Sequence, residues 1–302
     1  MNIGFVNSGE SYLPEIKAYV DYINQQKGFK AMEVFDDQKE IIDKCDVVWR
    51  FMGFERKQAN KSQQHIHEYS SLSVGSFSKQ RNLLKKYLNI KPTARVFLND
   101  DIMRAMNFND NIPCLKRDMG VARNFYDLKE KKEYGFVYIG SLGPSRKVNN
   151  LLNHFKEKKN KQSILIIGAV PDEINNEYRN LDNIIFTGRI NYEEVPALAS
   201  KAIYGINYIP NIFPYNIQTS TKLLEYCALG LKIITTNYKW VNQFEIDRGA
   251  SFFKLDNNLS NLNERDLEKF AFQTPNVMDL EWTSIFEDID LMNYLNTLSK
   301  SN

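Results

Sequence analysis

The sequence predicts an α/β protein built from two doubly wound domains, and three observations predict it. Short apolar runs of strand length alternate with helical patterns along most of the chain. The alternation lapses in one polar, charged stretch without a clear period, ARNFYDLKEKKEY at 122–134. It then restarts with a second series of about six runs. Strands alternating with helices imply a mostly parallel sheet covered on both faces, and the polar lapse has the composition of a domain linker. A chain of 302 residues is long enough for two domains of ordinary size.

In the first half, IGFV at 3–6 reads as a buried strand and NSGE at 7–10 as a turn. Ile16, Tyr19, Val20 and Ile23 then fall at helical spacing. A strand at Ala31–Phe35, a helix through Ile41 and Ile42, and a strand at Val47–Phe51 follow. HIHEY at 65–69, RVFL at 95–98 and Cys114–Lys116 are further strand candidates. From Arg50 to Arg95 the chain is lopsidedly basic, through Arg56, Lys57, Lys61, Lys79, Arg81, Lys85, Lys86 and Lys91, opposed by Glu55 and Glu68 alone. Within it Phe77, Leu84, Tyr87 and Leu88 share one side of a helix. Such a helix usually packs on its own sheet with its charges in water; the alternative is a basic amphipathic helix on an anionic membrane surface.

The second half reads GFVYIG at 135–140, SILIIG at 163–168, NIIFTG at 183–188, YGINYIP at 204–210, KIITT at 232–236 and ASFF at 250–253. Helical patterns, including Val148–Phe155 and Tyr192–Ala199, separate most of them. Ligands of such sheets bind beyond the carboxyl ends of the strands, where several of these runs end in Gly, Pro or Asn. Residues 283–298 read as one final amphipathic helix.

Bulk properties narrow the function classes. The chain is 43% hydrophobic and 25% charged, with a formal net charge of +2, which does not favour nucleic acid as a main partner. Cys45, Cys114 and Cys227 share no metal-type spacing and suit a reducing compartment. The sequence shows no secretion signal and no apolar run of the ~20 residues that a membrane span needs. A cytoplasmic location is the expectation.

The stretch from Thr219 to Asn237, TSTKLLEYCALGLKIITTN, carries the densest signal. Leu223, Leu224, Cys227 and Ala228 form a core face, and Thr221, Lys222, Glu225 and Tyr226 the other face. Thr219 or Ser220 is placed to cap the first turn, and Gly230 to take a left-handed C-terminal position. Lys222 breaks a rule, because a cation in the first turn opposes the helix dipole at a cost of about 0.3–1 kcal/mol. An anion held at the helix N-terminus would compensate; a solvated lysine is the competing reading. The loop Gly140–Lys147, GSLGPSRK, follows a strand and leads into a helix, with Gly140 and Gly143 open to close approach and Arg146 and Lys147 suited to phosphate. Its spacing is neither a dinucleotide fingerprint nor a P-loop.

GSLGPSRKVNNLL, LIIG, NIIFTGRINYEEVPALASKA, GINYIPN and TSTKLLEYCALGLKIITTN, in this order over roughly 135–255, resemble the family-four-type glycosyltransferases of bacterial surface-polysaccharide synthesis. DVVWRFMG, IHEYSSLS and RVFLN resemble the family more loosely. The resemblance implies the GT-B fold, two Rossmann-like domains facing across a cleft. It divides the chain into an acceptor-side domain at 1–125, a linker at 126–134, a nucleotide-sugar-binding domain at 135–282 and a tail at 283–302. It implies that Arg146, with Lys147 as alternate, and Lys222 hold the donor diphosphate, that Glu225 holds the ribose, and that Arg189 and Ile190 lie near the base. Gly140, Ser141, Ser220 and Thr221 join the donor site, and His67 is the candidate for a histidine lining the reaction centre. Ser8, Gly9, Lys79, Arg81, Lys85 and Lys86 fall on the acceptor or membrane side. Many members carry a glutamate eight positions before the one matched by Glu225; here that position is Ile217, with Asn216 or Gln218 as substitutes.

The expectation is therefore a glycosyltransferase that moves a sugar from a nucleoside-diphosphate sugar to a glycan or lipid-linked glycan. The resemblance implies retention of configuration. Two cations facing the diphosphate require no metal and no other cofactor. A peripheral position at the inner face of the cell membrane would bring the basic stretch to the acceptor. The alternatives are a sugar-nucleotide epimerase and a catalytically silent nucleotide-sugar-binding module. Asp288-Ile289-Asp290 resembles a metal-binding acidic pair but lies on the tail helix. His65-x-His67 is at most half a metal site, and a satisfied structural role for His67 is the competing reading.

Overall fold

The computed structural model describes residues 1–9, 13–55, 62–75, 77–143, 146–157 and 162–299. Of the expectations above, Glu10 in the first turn, Arg56, Lys57 and Lys61 in the basic run, and 144–145 in the phosphate-type loop lie outside the described residues. The chain forms two compact units, Met1–Ala122 with Asp279–Asn302, and Arg123–Met278.

The first unit runs β1 (Asn2–Asn7), α1 (Pro14–Asn24), β2 (Lys30–Phe35), α2 (Lys39–Ile42), β3 (Val47–Phe51), β4 (Gln64–Tyr69), α3 (Ser78–Leu88), β5 (Ala94–Phe97), α4 (Asp100–Met106) and β6 (Cys114–Lys116). Its strands pair in parallel in the order β2-β1-β3-β4-β5-β6. Strand order reverses between β1 and β3, so the loops after these two strands diverge and leave a crevice at their carboxyl ends. Helices on both faces explain why the strands read as apolar runs rather than alternating ones. Tyr19 on α1 stacks on Phe5 of β1, centroid to centroid 4.9 Å.

Buried charge in this unit is matched. Glu68 on β4 accepts from Trp49 Nε1 at 2.8 Å and Tyr19 Oη at 3.3 Å, and pairs with the fully buried Arg117. Glu15 faces the same guanidinium at 3.9 Å. Carboxylates enclosed to this degree persist only when a cation and hydrogen-bond donors offset their desolvation.

The second unit runs β7 (Tyr134–Ile139), α5 (Asn149–Lys156), β8 (Ile164–Ile167), α6 (Asp172–Tyr178), β9 (Ile184–Gly188), α7 (Val195–Ala199), β10 (Ala202–Asn207), α8 (Thr221–Ala228), β11 (Lys232–Thr235), α9 (Lys239–Arg248), β12 (Phe253–Lys254) and α10 (Glu264–Lys269). Its parallel order is β12-β11-β10-β7-β8-β9, reversing between β7 and β10. Phe136, Tyr138, Leu151, Phe155 and Ile206 centre its core.

Two expectations about boundaries are corrected. Residues 122–134 are not a free connector. Phe125 is buried 5.4 Å from the Tyr192 ring, Tyr126 Oη donates to the Val277 carbonyl at 2.9 Å, and Lys132 Nζ donates to the Ser200 and Ala202 carbonyls at 2.7 and 2.9 Å. Two aromatic side chains inside a polar stretch are enough to fasten it to the second unit. The tail is not one helix. It breaks at Asp290, whose φ is +49°, into α11 (Trp282–Asp288) and α12 (Leu291–Ser299). Both belong to the first unit, where Phe286 stacks on Tyr19 at 4.6 Å and Gln64 Nε2 donates to the Leu298 carbonyl at 2.6 Å. Trp282 covers Gly120 so closely that a Cβ there would lie 2.5 Å from the indole.

Candidate active site

Helix α8 begins beside the reversal point of the second sheet, and the sequence seats it there through its own core face. Leu223, Leu224 and Cys227 are buried as their spacing requires. Tyr226, expected on the polar face, is instead fully buried. Its hydroxyl accepts from the Ile139 amide at 2.9 Å and lies within 3.5 Å of the Val137 and Ile206 carbonyls. Gly205 on β10 makes the room, since a Cβ there would meet the Tyr226 ring at 2.5 Å. The helix ends at Gly230, with φ +64°, in paired bonds from Gly230 N to Cys227 O and from Leu231 N to Tyr226 O.

The N-terminus of α8 is held from below, and its cap residue does not cap it. Ser220 occupies the cap position, but its hydroxyl does not cap; it donates to Asn207 Oδ1 at 2.8 Å. Asn207 Nδ2 in turn donates to Thr235 Oγ1 at 3.0 Å and Tyr238 Oη at 2.9 Å. This buried network ties the first turn to the ends of β10 and β11. The Leu223 and Leu224 amides both bond to the Ser220 carbonyl. Ser220 thus gives the opening amides of the helix no side-chain cap, and their partial positive charge stands at the sheet's carboxyl edge.

Lys222 reaches across that edge. Its ammonium lies 4.0 Å from the Tyr138 ring centroid and 3.3 Å from where a Gly140 Cβ would stand. A side chain at Gly140 would therefore crowd the lysine, and its φ of +131° is one that residues with side chains rarely adopt. Burial pushes the Lys222 ammonium well below its usual pKa, the Arg146 charge adds to the fall, and Glu225 opposes it. Arg146 follows the same strand and lies 4.5 Å from the Tyr215 ring centroid. Glu225, only 3% exposed, accepts from Tyr192 Oη at 2.6 Å. Burial raises its carboxyl to about 7, against the lowering influence of the Tyr192 bond and the Lys222 charge. Two cations, the start of helix α8 and one weakly acidic carboxyl thus meet at the switch point, an arrangement suited to a diphosphate and a neighbouring hydroxyl group.

The other donor-side residues are placed unequally. Ser141 and Lys147 are exposed on the loop after β7, and Thr221 is half-buried in the first turn of α8. Arg189 is exposed and Ile190 half-buried just beyond β9. Asn216 Nδ2 donates to Asn211 Oδ1 at 3.3 Å, while Ile217 turns into the core at 9% exposure. Tyr192, Tyr138, Tyr215 and Asn207 were not picked out from the sequence as site residues, because aromatic and amide side chains in a strand or turn carry no periodic signal of their own.

In the first unit, a cavity of about 630 Å³ opens at the carboxyl ends of β1, β3 and β4. Ser8, Arg50, Ser70, Ser71 and Ser73 line it, with Arg81 and Lys85 from α3. Three of the residues expected on the acceptor side, Ser8, Arg81 and Lys85, therefore share one cavity. Gly9, Lys79 and Lys86 are not part of its wall. Gly9 is exposed beside it in sequence, donating its amide to Asn7 Oδ1 at 2.9 Å, Lys79 is exposed, and Lys86 donates to the Asn107 carbonyl. Helix α3 itself buries none of its residues; Phe77 is 73% and Tyr87 70% exposed, and Leu83, Leu84 and Leu88 are exposed as well.

His67 is placed away from any surface. It is 1% exposed on β4, and its Nε2 lies 2.7 Å from Glu55 Oε2 while His65 Nδ1 lies 3.0 Å from Glu55 Oε1. Arg50 Nε donates to the same carboxylate at 2.7 Å. Burial lowers the His67 pKa despite Glu55. The alternation that puts His65 and His67 on one face of β4 makes them a clamp on Glu55. Asp288 and Asp290 flank the break between α11 and α12, not the end of a strand.

Residues 133–261 match the family model for glycosyl transferases, group 1. No curated protein sequence matches the chain. Among solved structures, Anabaena HepE in complex with UDP-glucose has a TM-score of 0.70 at 10% identity, covering 97% of this chain and 99% of that one. Sucrose-phosphate synthase from Thermosynechococcus elongatus has a TM-score of 0.69 at 12% identity, covering 99% of each chain. The UDP-GlcNAc 2-epimerase of Methanocaldococcus jannaschii has a TM-score of 0.58 at 9% identity, covering 97% of this chain and 100% of that one. The fold is shared end to end with these proteins, and the switch-point residues lie inside the matched segment: residues 133–261 match the group 1 glycosyl transferases, and the chain has the GT-B fold.

Proposed function

We propose that the chain transfers a glycosyl group from a nucleoside-diphosphate sugar, bound at the switch point of the second unit, to a saccharide acceptor bound in the cavity of the first. The observation that carries this reading is the convergence of Lys222, Arg146 and the start of α8, which Ser220 does not cap, near Gly140. Negative charge grows on the leaving β-phosphate as the anomeric C–O bond breaks, and fixed cations and amides meet it without reorganising. With retention of configuration, the acceptor oxygen bonds to the anomeric carbon on the face that the leaving group departs. The acceptor proton passes to a β-phosphate oxygen, and the nucleoside diphosphate leaves. Glu225 takes a ribose hydroxyl, and two cations serve where a metal otherwise would. UDP is the first nucleotide to try, since structures of similar fold are described with UDP-glucose or UDP-GlcNAc.

The exposed apolar side chains of α3, with Lys79 and Lys86, support peripheral attachment to an anionic membrane carrying a lipid-linked glycan of surface-polysaccharide synthesis. Among the described residues no helix is long and apolar enough to cross a membrane. Replacing Phe77 and Tyr87 by Ser should release the protein from anionic vesicles; unchanged binding removes this part of the reading.

Lys222→Met and Arg146→Met should each lower transfer by about 100-fold to 1,000-fold, with the thermal transition retained. Full transfer by both variants sinks the assignment. Product analysis with and without acceptor separates transfer from epimerisation, which consumes donor alone, and absence of both leaves a binding module.

A further inference from the structure

We infer that Tyr192 is a positioning residue of the second unit's site: its hydroxyl holds one oxygen of the Glu225 carboxyl and so leaves the other for a hydroxyl group of the donor's ribose. The inference rests on the reading of this site as the donor site and assigns it one further residue.

Glu225 is seated from two sides. Its own helix, α8, carries it one turn beyond Lys222. The loop beyond β9 brings Tyr192, the first residue of a single 3₁₀ turn, Tyr192–Glu194. Asn191 and Glu194 close that turn by reciprocal capping, the Glu194 carboxylate accepting from the Asn191 amide at 3.2 Å. The Tyr192 ring lies 5.4 Å from that of the fully buried Phe125. A capped turn and a packed ring thus fix the phenol that meets the carboxyl. The bond from Tyr192 Oη to Glu225 Oε1, at 2.6 Å, has the length of a charge-assisted O–H···O contact, about 2.5–2.7 Å. A glutamate side chain turns about several bonds, and a short bond to a fixed partner removes most of that freedom.

The two oxygens then differ. Oε1 is taken by Tyr192, whereas among the described residues Oε2 receives no hydrogen bond. An enclosed carboxyl that serves structure alone has donors on both oxygens. Glu68 is of that kind, with Ser70 and Arg117 on Oε1 and Trp49 and Tyr19 on Oε2. Tyr192 and Lys222 draw the Glu225 carboxyl toward ionisation against its burial, and Arg146 bears on Lys222. Tyr226, next along α8, is itself pushed up, in part by Glu225. Once ionised, Oε2 accepts from a ribose hydroxyl more strongly than the neutral acid does.

The test titrates the full chain calorimetrically with UDP, GDP and ADP at pH values on both sides of about 7, and compares the tightest binder with its 2′,3′-dideoxy form. The ratio of the two dissociation constants isolates the ribose hydroxyls, because both ligands carry the same diphosphate. In the wild type the ratio should grow by about tenfold as pH rises through about 7. Tyr192→Phe keeps the ring on Phe125 and removes the hydroxyl alone. Because the Tyr192 bond lowers the Glu225 pKa, this variant should move the rise to higher pH and leave a smaller ratio at neutrality. Glu225→Gln should give a small ratio that does not change with pH. A Tyr192→Phe profile that superimposes on the wild type overturns the inference. So does a wild-type ratio near one at every pH, a result that depends on no variant; the nucleotide then still binds, and the donor-site reading stands. Absence of binding by all three diphosphates instead removes that reading and the inference with it. Circular dichroism of Tyr192→Phe and Glu225→Gln separates these results from misfolding.

Discussion

Replacing Glu225 by Gln gives a pH-dependent gain in stability whose size and window follow from the site. The carboxyl is enclosed and its pKa rises from 4.5 to about 7, so the fold prefers the neutral acid. Its contribution is fully present below about pH 4.5 and is lost as pH rises through about 7. At about 1.4 kcal/mol per pKa unit, the whole rise corresponds to roughly 3 kcal/mol. Glutamine stays neutral at every pH and still accepts from Tyr192. Glu225→Gln should therefore match the wild type near pH 4.5 and exceed it by up to about 3 kcal/mol above pH 8, or roughly 6–12 °C in melting temperature. Urea unfolding of both proteins from pH 4.5 to 8.5 measures the difference. The Lys222 charge holds the carboxyl down, so in a Lys222→Met background the gap should open from the same pH, grow larger and level off at higher pH. A gap that stays constant with pH, or one that opens toward acid, refutes the reasoning. The variant should at the same time bind nucleoside diphosphate more weakly, because it loses the ribose contact proposed for this carboxyl.

Glu55→Gln acts with the opposite sign. His65, His67 and Arg50 outweigh burial and hold the Glu55 carboxyl well below the usual range. Its stabilisation is present above the unfolded pKa near 4.5 and is lost as pH falls toward the folded one. Breaking so buried a pair should cost about 3 kcal/mol at pH 7, shrinking below pH 4.5, as read by chemical denaturation; an undiminished cost in acid contradicts the clamp. Gly205→Ala drives a methyl to within 2.5 Å of the Tyr226 ring. It should destabilise the protein by about 1–3 kcal/mol, and a neutral effect on the unfolding midpoint would show that Tyr226 does not seat α8 as described.

The sheets were legible because fully covered parallel strands must be apolar throughout. IGFV, VVWRF, ILII and KIIT announce themselves by that alone, and the ends of β1, β3, β7 and β10 then locate both crevices. Helices announced themselves only where one face is apolar. α9 buries just Val241 and Phe244 and gave no pattern to follow. Tyr226 was misassigned because a helical wheel cannot see Gly205, whose missing side chain draws the ring inward. His67 looked functional by residue type, but its role is set by Glu55, twelve positions away and invisible to spacing. In α3 the apolar stripe was visible, whereas its exposure depends on what the rest of the unit leaves uncovered. Lys222 was legible as a broken rule. What the sequence lacked was Tyr138, whose ring lies against the ammonium.

The return of α11 and α12 to the first unit has a consequence for synthesis. Translation delivers 1–122 first, but without Trp282 over Gly120, Phe286 on Tyr19 and the Leu298 carbonyl on Gln64. The second unit is contiguous and has all its strands once residue 278 has emerged. Chains usually complete their domains from the N-terminus onward; here the unit made first is finished last. Until residues 279–299 have emerged from the ribosome, the first unit's aromatic layer stands open to whatever escorts nascent chains.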